Sequence, residues 1–171
     1  VTLHIREPGY RGETKKNSKE AFRNSNPFNY IKAIERITKA GGWVFRLGDP
    51  SMTALPKMKQ LIDYAHNPLK SDSLDVFLGA TSKFFLGTDS GPCRIPQFFG
   101  VPIILTNCAN SMLYYSLKES DLYLPRLIKK KINNENIKFE QMFSIPLSFY
   151  DRDYFFKKSG LYTVENSPEE I

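Results

Sequence analysis

Short apolar runs alternate along the chain with stretches in which apolar residues recur at helical spacing, which is the signature of strands interleaved with helices. Val1–Arg6 opens the series as a strand. A polar stretch from Pro8 to Asn26 leads to a helix near Phe28–Ala40, where Tyr30, Ile31, Ile34 and Ile37 share one face and Gly41-Gly42 closes the end. Trp43–Leu47 is the second strand and ends in the turn Gly48-Asp49-Pro50. A short strand around Leu61–Tyr64 and a helix from about Asp72 to Ala80 follow. The runs Lys83–Gly87 and Ile103–Thr106 are two more strands, separated by a turn that opens at Thr88 and a helix that closes at Phe99-Gly100. Beyond Asn107 the pattern weakens; it predicts helices near Asp121–Lys131 and Phe139–Phe143, and an aromatic-rich Phe149–Tyr162 that packs back across the domain.

This alternation predicts an α/β fold, a Rossmann-like parallel sheet with helices on both faces. Such sheets bind ligands at the carboxyl ends of their strands. The residues placed there are Arg6-Glu7, Gly48-Asp49, Ala65-His66, Thr88-Asp89-Ser90-Gly91 and Thr106-Asn107. Thr88–Pro92 is built from small and hydroxyl residues, so backbone N–H groups can approach an anion at the start of the following helix. An ordinary strand-to-helix turn with Ser90 as its cap fits the same letters. His4 and Arg6 alternate along the first strand and share a face, where a guanidinium can grip a diphosphate; an ion pair of Arg6 with Glu7 or Asp49 is the alternative. Asp72 and Asp75 fall in the first turns of a helix, a position that also suits simple capping acids. Neither the dinucleotide fingerprint G-x-G-x-x-G nor the phosphate loop G-x-x-x-x-G-K-S/T occurs.

At 171 residues, 41% of them hydrophobic, the chain is long enough for one domain, 1–171, with a substantial core. The net charge of +6, concentrated partly in Lys129-Lys130-Lys131 and Lys157-Lys158, favours phosphate-bearing ligands or an anionic membrane surface, and peripheral association with a membrane is an expectation. Aromatic residues are not interleaved with the basic ones, which disfavours nucleic acid. Cys93 and Cys108 lie far apart with only His4 and His66 as further soft ligands, so neither a disulfide framework nor a metal site is expected, and a cytoplasmic location suits them. Asp151-Arg152-Asp153 spells the D-x-D of metal-dependent sugar transferases, but far from the phosphate turn. The start on a strand without methionine, and the close on Ser167-Pro168-Glu169-Glu170, which reads as a helix beginning, predict a piece of a longer polypeptide.

The run His4-Ile5-Arg6-Glu7-Pro8-Gly9-Tyr10-Arg11-Gly12-Glu13 resembles the His-x-Arg strand and basic-acidic loop of fucosyltransferase-like GT-B glycosyltransferases. Asp75-Val76-Phe77-Leu78 followed by Phe84–Arg94 resembles their second signature, an aspartate on a helix and then a strand with a serine-containing turn. With residues 42–52 and 63–66, the stretch 1–107 is more similar still to a group of bacterial glycosyltransferases associated with surface carbohydrate. The resemblance implies the carboxy-terminal half of a GT-B fold, a nucleotide-sugar-binding domain whose missing N-terminal partner holds most of the acceptor site. It implies inverting transfer to a glycan or other hydroxyl acceptor in polysaccharide biosynthesis at the cytoplasmic face of the membrane, with no metal. By position His4 and Asp75 face the base, with a GDP-sugar favoured as donor. Arg6 faces the diphosphate, and Thr88, Ser90 and the Gly91 amide face phosphate oxygens, with Arg11, Asp49 and Asp89 beside them. Glu13 is the catalytic base, with Glu7 as second choice. Where fucosyltransferases carry a second basic residue after His-x-Arg, this chain has Glu7. A non-catalytic nucleotide- or anion-binding module, or an epimerase-like sugar-nucleotide domain, are the competing readings.

Overall fold

A computed structural model describes residues 1–9, 12, 19–109 and 117–171. Six strands form one parallel sheet: β1 (Thr2–His4), β2 (Val44–Arg46), β3 (Leu61–Ile62), β4 (Phe85–Gly87), β5 (Ile103–Cys108) and β6 (Leu122–Pro125), in the order β3-β2-β1-β4-β5-β6. The fold is α/β and Rossmann-like, as the alternation predicts. Winding runs outward from β1 to β3 and then restarts at β4 on the other side, so the connections that leave the carboxyl ends of β1 and β4 diverge to opposite faces of the sheet, where such folds open a crevice.

Two apolar faces close on the sheet. Leu3 and Ile5 beside β1, Val44 of β2 and Leu86 of β4 meet Tyr30 and Ile34, the second of which lies on α1 (Ile31–Lys39). On the opposite face Phe85, Ile103 and Leu105 pack with Cys93, just before α3 (Arg94–Phe98). There α2 (Asp72–Thr81) meets α3 through Gly79, where an added Cβ would lie 2.8 Å from an Ile95 methyl. Burial raises the thiol pKa of Cys93 and, more strongly, that of Cys108, which makes both unreactive.

The predicted helix near Asp121–Lys131 is instead β6 and a further strand, β7 (Leu127–Lys130). Pro125 supplies the physical reason. It lacks the N–H that a helix interior needs and its ring obstructs the preceding turn, whereas at the sheet edge it sits opposite Cys108 at no such cost. β7 pairs antiparallel with β8 (Leu161–Val164). Around this hairpin lie α4 (Phe139–Met142), where a helix is predicted, and α5 (Asp153–Lys158). The aromatic segment does pack back, with Phe156 5.2 Å from Phe22 between ring centres. Among the described residues no helix is long and apolar enough to cross a membrane.

A buried polar network ties the carboxyl end of β5 to the last residues described. Asn107, in the left-handed region at φ 56°, donates its N–H to Asn166 Oδ1 at 2.6 Å, and Asn166 returns its own N–H to Asn107 Oδ1 at 2.7 Å. Tyr30 completes it, bonded to Thr106 Oγ1 at 2.6 Å and accepting from Asn107 Nδ2 at 3.1 Å.

Candidate functional site

A cleft of about 570 Å³ opens at the divergence of β1 and β4. Its walls come from separate strand ends: His4 at the end of β1 with Arg6 and Glu7 just beyond, Gly48 and Asp49 after β2, and Ser90, Gly91 and Pro92 after β4. Lys70, Asp72 and Asp75 close it from the start of α2, and Arg23 from the preceding polar stretch. Residues far apart in sequence therefore meet because a parallel sheet delivers every strand to the same edge. Six residues expected at a ligand, namely His4, Arg6, Asp49, Asp75, Ser90 and Gly91, are brought together here, with Glu7.

The loops are registered by backbone bonds. Thr88 N–H donates to His4 O at 3.0 Å, and Arg6 N–H donates to Thr88 Oγ1 at 2.8 Å. Thr88 is thus buried and its hydroxyl accepts from a strand neighbour; it is not among the residues that line the cleft. Ser90 does not cap the following helix. Its Oγ shares a 2.8 Å hydrogen bond with His4 Nδ1. Gly91 lines the cleft at the first position of the turn that follows Ser90, and a Cβ built there meets nothing within 4 Å, so the backbone is open to close approach at this point.

The cations are held, not loose. Arg6 donates from its guanidinium to Asn24 Oδ1 and, at 3.1 Å, to Glu20 O, which replaces the expected alternative pairing with Glu7 or Asp49. Glu20 gathers Arg6 at 3.6 Å, Arg23 at 2.5 Å and Arg152 at 2.9 Å. Arg23 in turn donates to the Asp89 backbone oxygen at 3.0 Å and its carboxylate at 3.2 Å. Asp89 is not among the residues that line the cleft and anchors Arg23, which does. Arg6 and Arg23 are two guanidiniums held in place by a shared acid, which lowers the ordering cost of gripping an anion.

Glu7 is engaged on both oxygens. Oε1 accepts from Arg46 at 2.6 Å and Oε2 from the Thr53 N–H at 3.2 Å. Arg46 is fully buried and also donates to Asp63 Oδ1 at 3.0 Å, so it binds together the carboxyl ends of β1, β2 and β3. This tethering is at odds with Glu7 as a mobile base. Asp49 uses Oδ1 to accept from the Ser51 N–H at 2.8 Å and holds its own turn. Asp75 accepts from Lys70 Nζ through Oδ2 at 2.5 Å, while its Oδ1 is buried without a hydrogen-bond partner in the protein. Arg11 and Glu13 lie outside the described residues.

Sequence reasoning missed Arg23, Lys70 and Asp72 as lining residues and Arg46 and Glu20 as their supports. The signal for Lys70 and Asp72 was their proximity to Asp75 at a helix start; for Arg23 and Glu20, inside an irregular polar stretch, no periodicity gave any. Asp153 of the D-x-D is spent on structure, accepting from the N–H groups of Ala21 at 3.2 Å and Phe22 at 2.8 Å.

Burial, reinforced by the Arg46 guanidinium, lowers the His4 pKa to about 3. His4 is neutral at physiological pH and presents a polar, uncharged ring edge at the cleft. The unfolded chain takes up this proton near pH 6.5 and the folded chain only near 3, so the stabilisation is complete above pH 6.5 and is lost as pH falls toward 3. The slope from this group approaches about 1.4 kcal/mol per pH unit. Urea denaturation followed from neutral pH downward is expected to show this acid limb, and His4→Asn is expected to flatten it; an unchanged limb in the variant would place the effect elsewhere.

No family model, no curated protein and no solved structure matches this chain.

Proposed function

We propose that the chain is the nucleotide-sugar-binding domain of an inverting, metal-independent GT-B glycosyltransferase that transfers a sugar to a cell-surface glycan or related hydroxyl acceptor, with a partner domain preceding it in the full enzyme. The observation that carries this reading is the convergence of His4, Arg6, Asp75, Ser90 and Gly91 on one cleft at the β1/β4 divergence. These residues come from two sequence blocks about seventy positions apart, and both blocks are the ones that the resemblance assigns to the donor.

The chemistry follows from the charges. As the acceptor oxygen bonds to the sugar's anomeric carbon, the bond to the nucleoside diphosphate breaks and negative charge accumulates on the departing phosphate. Arg6, Arg23 and the Gly91 backbone are the groups of the cleft that can receive that charge, and fixed donors act there without reorganising. A carboxylate must take the acceptor's proton. With Glu7 held by Arg46 and the Thr53 N–H, Glu13 is left to carry that role.

Asp75 Oδ1, buried without a partner, supports guanine as the base, because the N1–H and amino edge of guanine supplies two adjacent donors to a carboxylate. Adenine and uracil lack that pair, and a buried acceptor left unbonded penalises them. Calorimetry with GDP, UDP and ADP, each with magnesium and with chelator, is expected to show GDP binding best and without metal. Asp75→Asn is expected to cost about 1–3 kcal/mol of GDP affinity and to erase the preference. Equal affinities in the unmodified chain would remove the guanine assignment; no nucleotide binding at all would remove the donor site.

A further inference from the structure

Beside the cleft described above lies a second one of about 500 Å³, and the two share Glu7 as a wall. The partition is the Arg6 to Asn24 hydrogen bond, with Arg6 facing the first cleft and Asn24 the second. We propose that this second cleft binds a neutral pyranose ring, placing part of the acceptor saccharide on this domain and next to the donor; the role as acceptor site rests on the transferase reading, the binding itself does not.

The charges in the second cleft are already matched. Glu7 is paired with the buried Arg46. Glu165 Oε2 accepts from the Asn26 N–H at 2.8 Å, and its charge lies close enough to Arg126 to oppose the lowering of that guanidinium's pKa by burial. Arg126 itself is buried and donates to Asn107 O at 3.0 Å, Asn24 O and Ser25 Oγ at 3.1 Å. An anion entering here meets two carboxylates and a buried guanidinium that already donates through Nε and Nη2, so this lining disfavours negative charge, in contrast to the cationic wall next door.

What remains unpaired is suited to hydroxyl groups. Glu165 Oε1, Asn24 Nδ2 and Thr53 Oγ1 make no hydrogen bond to the described residues, which offers acceptor, donor and hydroxyl within one concavity. Phe28, 50% exposed beside Pro27, supplies a flat apolar face. A pyranose has this combination, with a ring of hydroxyls at its edge and a face of C–H bonds that packs on an aromatic ring. A flat hydrocarbon would leave the amide and carboxylate unbonded.

The test is an amide-resolved NMR titration of the chain with the methyl glycosides of glucose, galactose, mannose and N-acetylglucosamine, with glucose 6-phosphate as the charged control and GDP in a separate series. Expected is a shift of the Asn24, Asn26, Phe28, Thr53 and Glu165 amides by at least one neutral glycoside. Phe28→Ala is expected to weaken that binding roughly tenfold and Phe28→Tyr to preserve it. GDP should move Ser90 and Gly91 instead. The proposal is overturned if no neutral glycoside moves these amides, if the sugar phosphate moves them as strongly, or if Phe28→Ala leaves the affinity unchanged. Sugar binding without any GDP response would sink the transferase reading and keep the cleft; GDP binding without a sugar response would do the reverse.

Discussion

Gly87→Ala is expected to lose roughly 2–6 kcal/mol of stability, combining about 1–3 for a residue forced to a positive φ with about 1–3 for overpacking. Gly87 ends β4 at φ 156°, directly paired with His4, and an alanine Cβ would sit 2.0 Å from the His4 carbonyl oxygen. That oxygen is backbone, already accepts from the Thr88 N–H, and belongs to the central strand, so it has nowhere to move. The strands would separate at the point where the cleft is assembled. Urea denaturation together with a GDP titration should show both quantities falling; a variant within about 1 kcal/mol of the parent would mean that β1 and β4 can shift apart without loss, contrary to the tight packing of such interiors.

Arg46→Met is expected to cost roughly 3–5 kcal/mol, because it leaves the Glu7 and Asp63 carboxylates buried without their cation. The size of the loss reflects the broken pairing more than any net gain from the ion triad. A triple variant, Glu7→Gln with Arg46→Met and Asp63→Asn, is therefore expected to recover much of it. Its side-chain oxygens can still accept from the Thr53 and Leu55 N–H groups, which Glu7 and Asp63 serve in the native chain. Denaturation curves of the single and triple variants decide this. A single variant as stable as the parent would show that water reaches the carboxylates, and a triple variant worse than the single would show that the charges themselves hold the strand ends together.

The sheet was legible because β-strands and α1 carry strong local periodicity. Leu3 and Ile5 on one face of β1, with Tyr30, Ile34 and Ile37 on the helix above, announce each other by spacing alone. Past Asn107 that signal fails. Asp121–Lys131 has helical spacing of apolar residues, but the pairing of Leu122 and Tyr123 with β5 decides its conformation, and no local rule anticipates a partner strand. The cleft residues were legible in proportion to their distance from a strand end. His4, Arg6, Asp49, Ser90 and Gly91 follow strands directly, and Asp75 sits at a helix start. Arg23 reaches the cleft only because Glu20 and Asp89 hold it there, an arrangement made by tertiary contacts. Thr88 and Asp89 occupy the expected turn, yet their side chains bond the Arg6 N–H and Arg23 while Ser90 meets His4, partners that only the tertiary structure brings within reach.

The reciprocal clasp between Asn107 and Asn166 sets a timetable for synthesis. The peptide N–H and the side-chain oxygen of Asn107, near the end of β5, find their partners in this clasp on a residue made 59 positions later. At a ribosomal pace of about 5–20 residues per second, that interval is roughly 3–12 s. Throughout it the emerging chain holds a sheet whose fifth strand ends in an open polar gap, so a segment made well after the sheet locks the strand ends that carry the cleft.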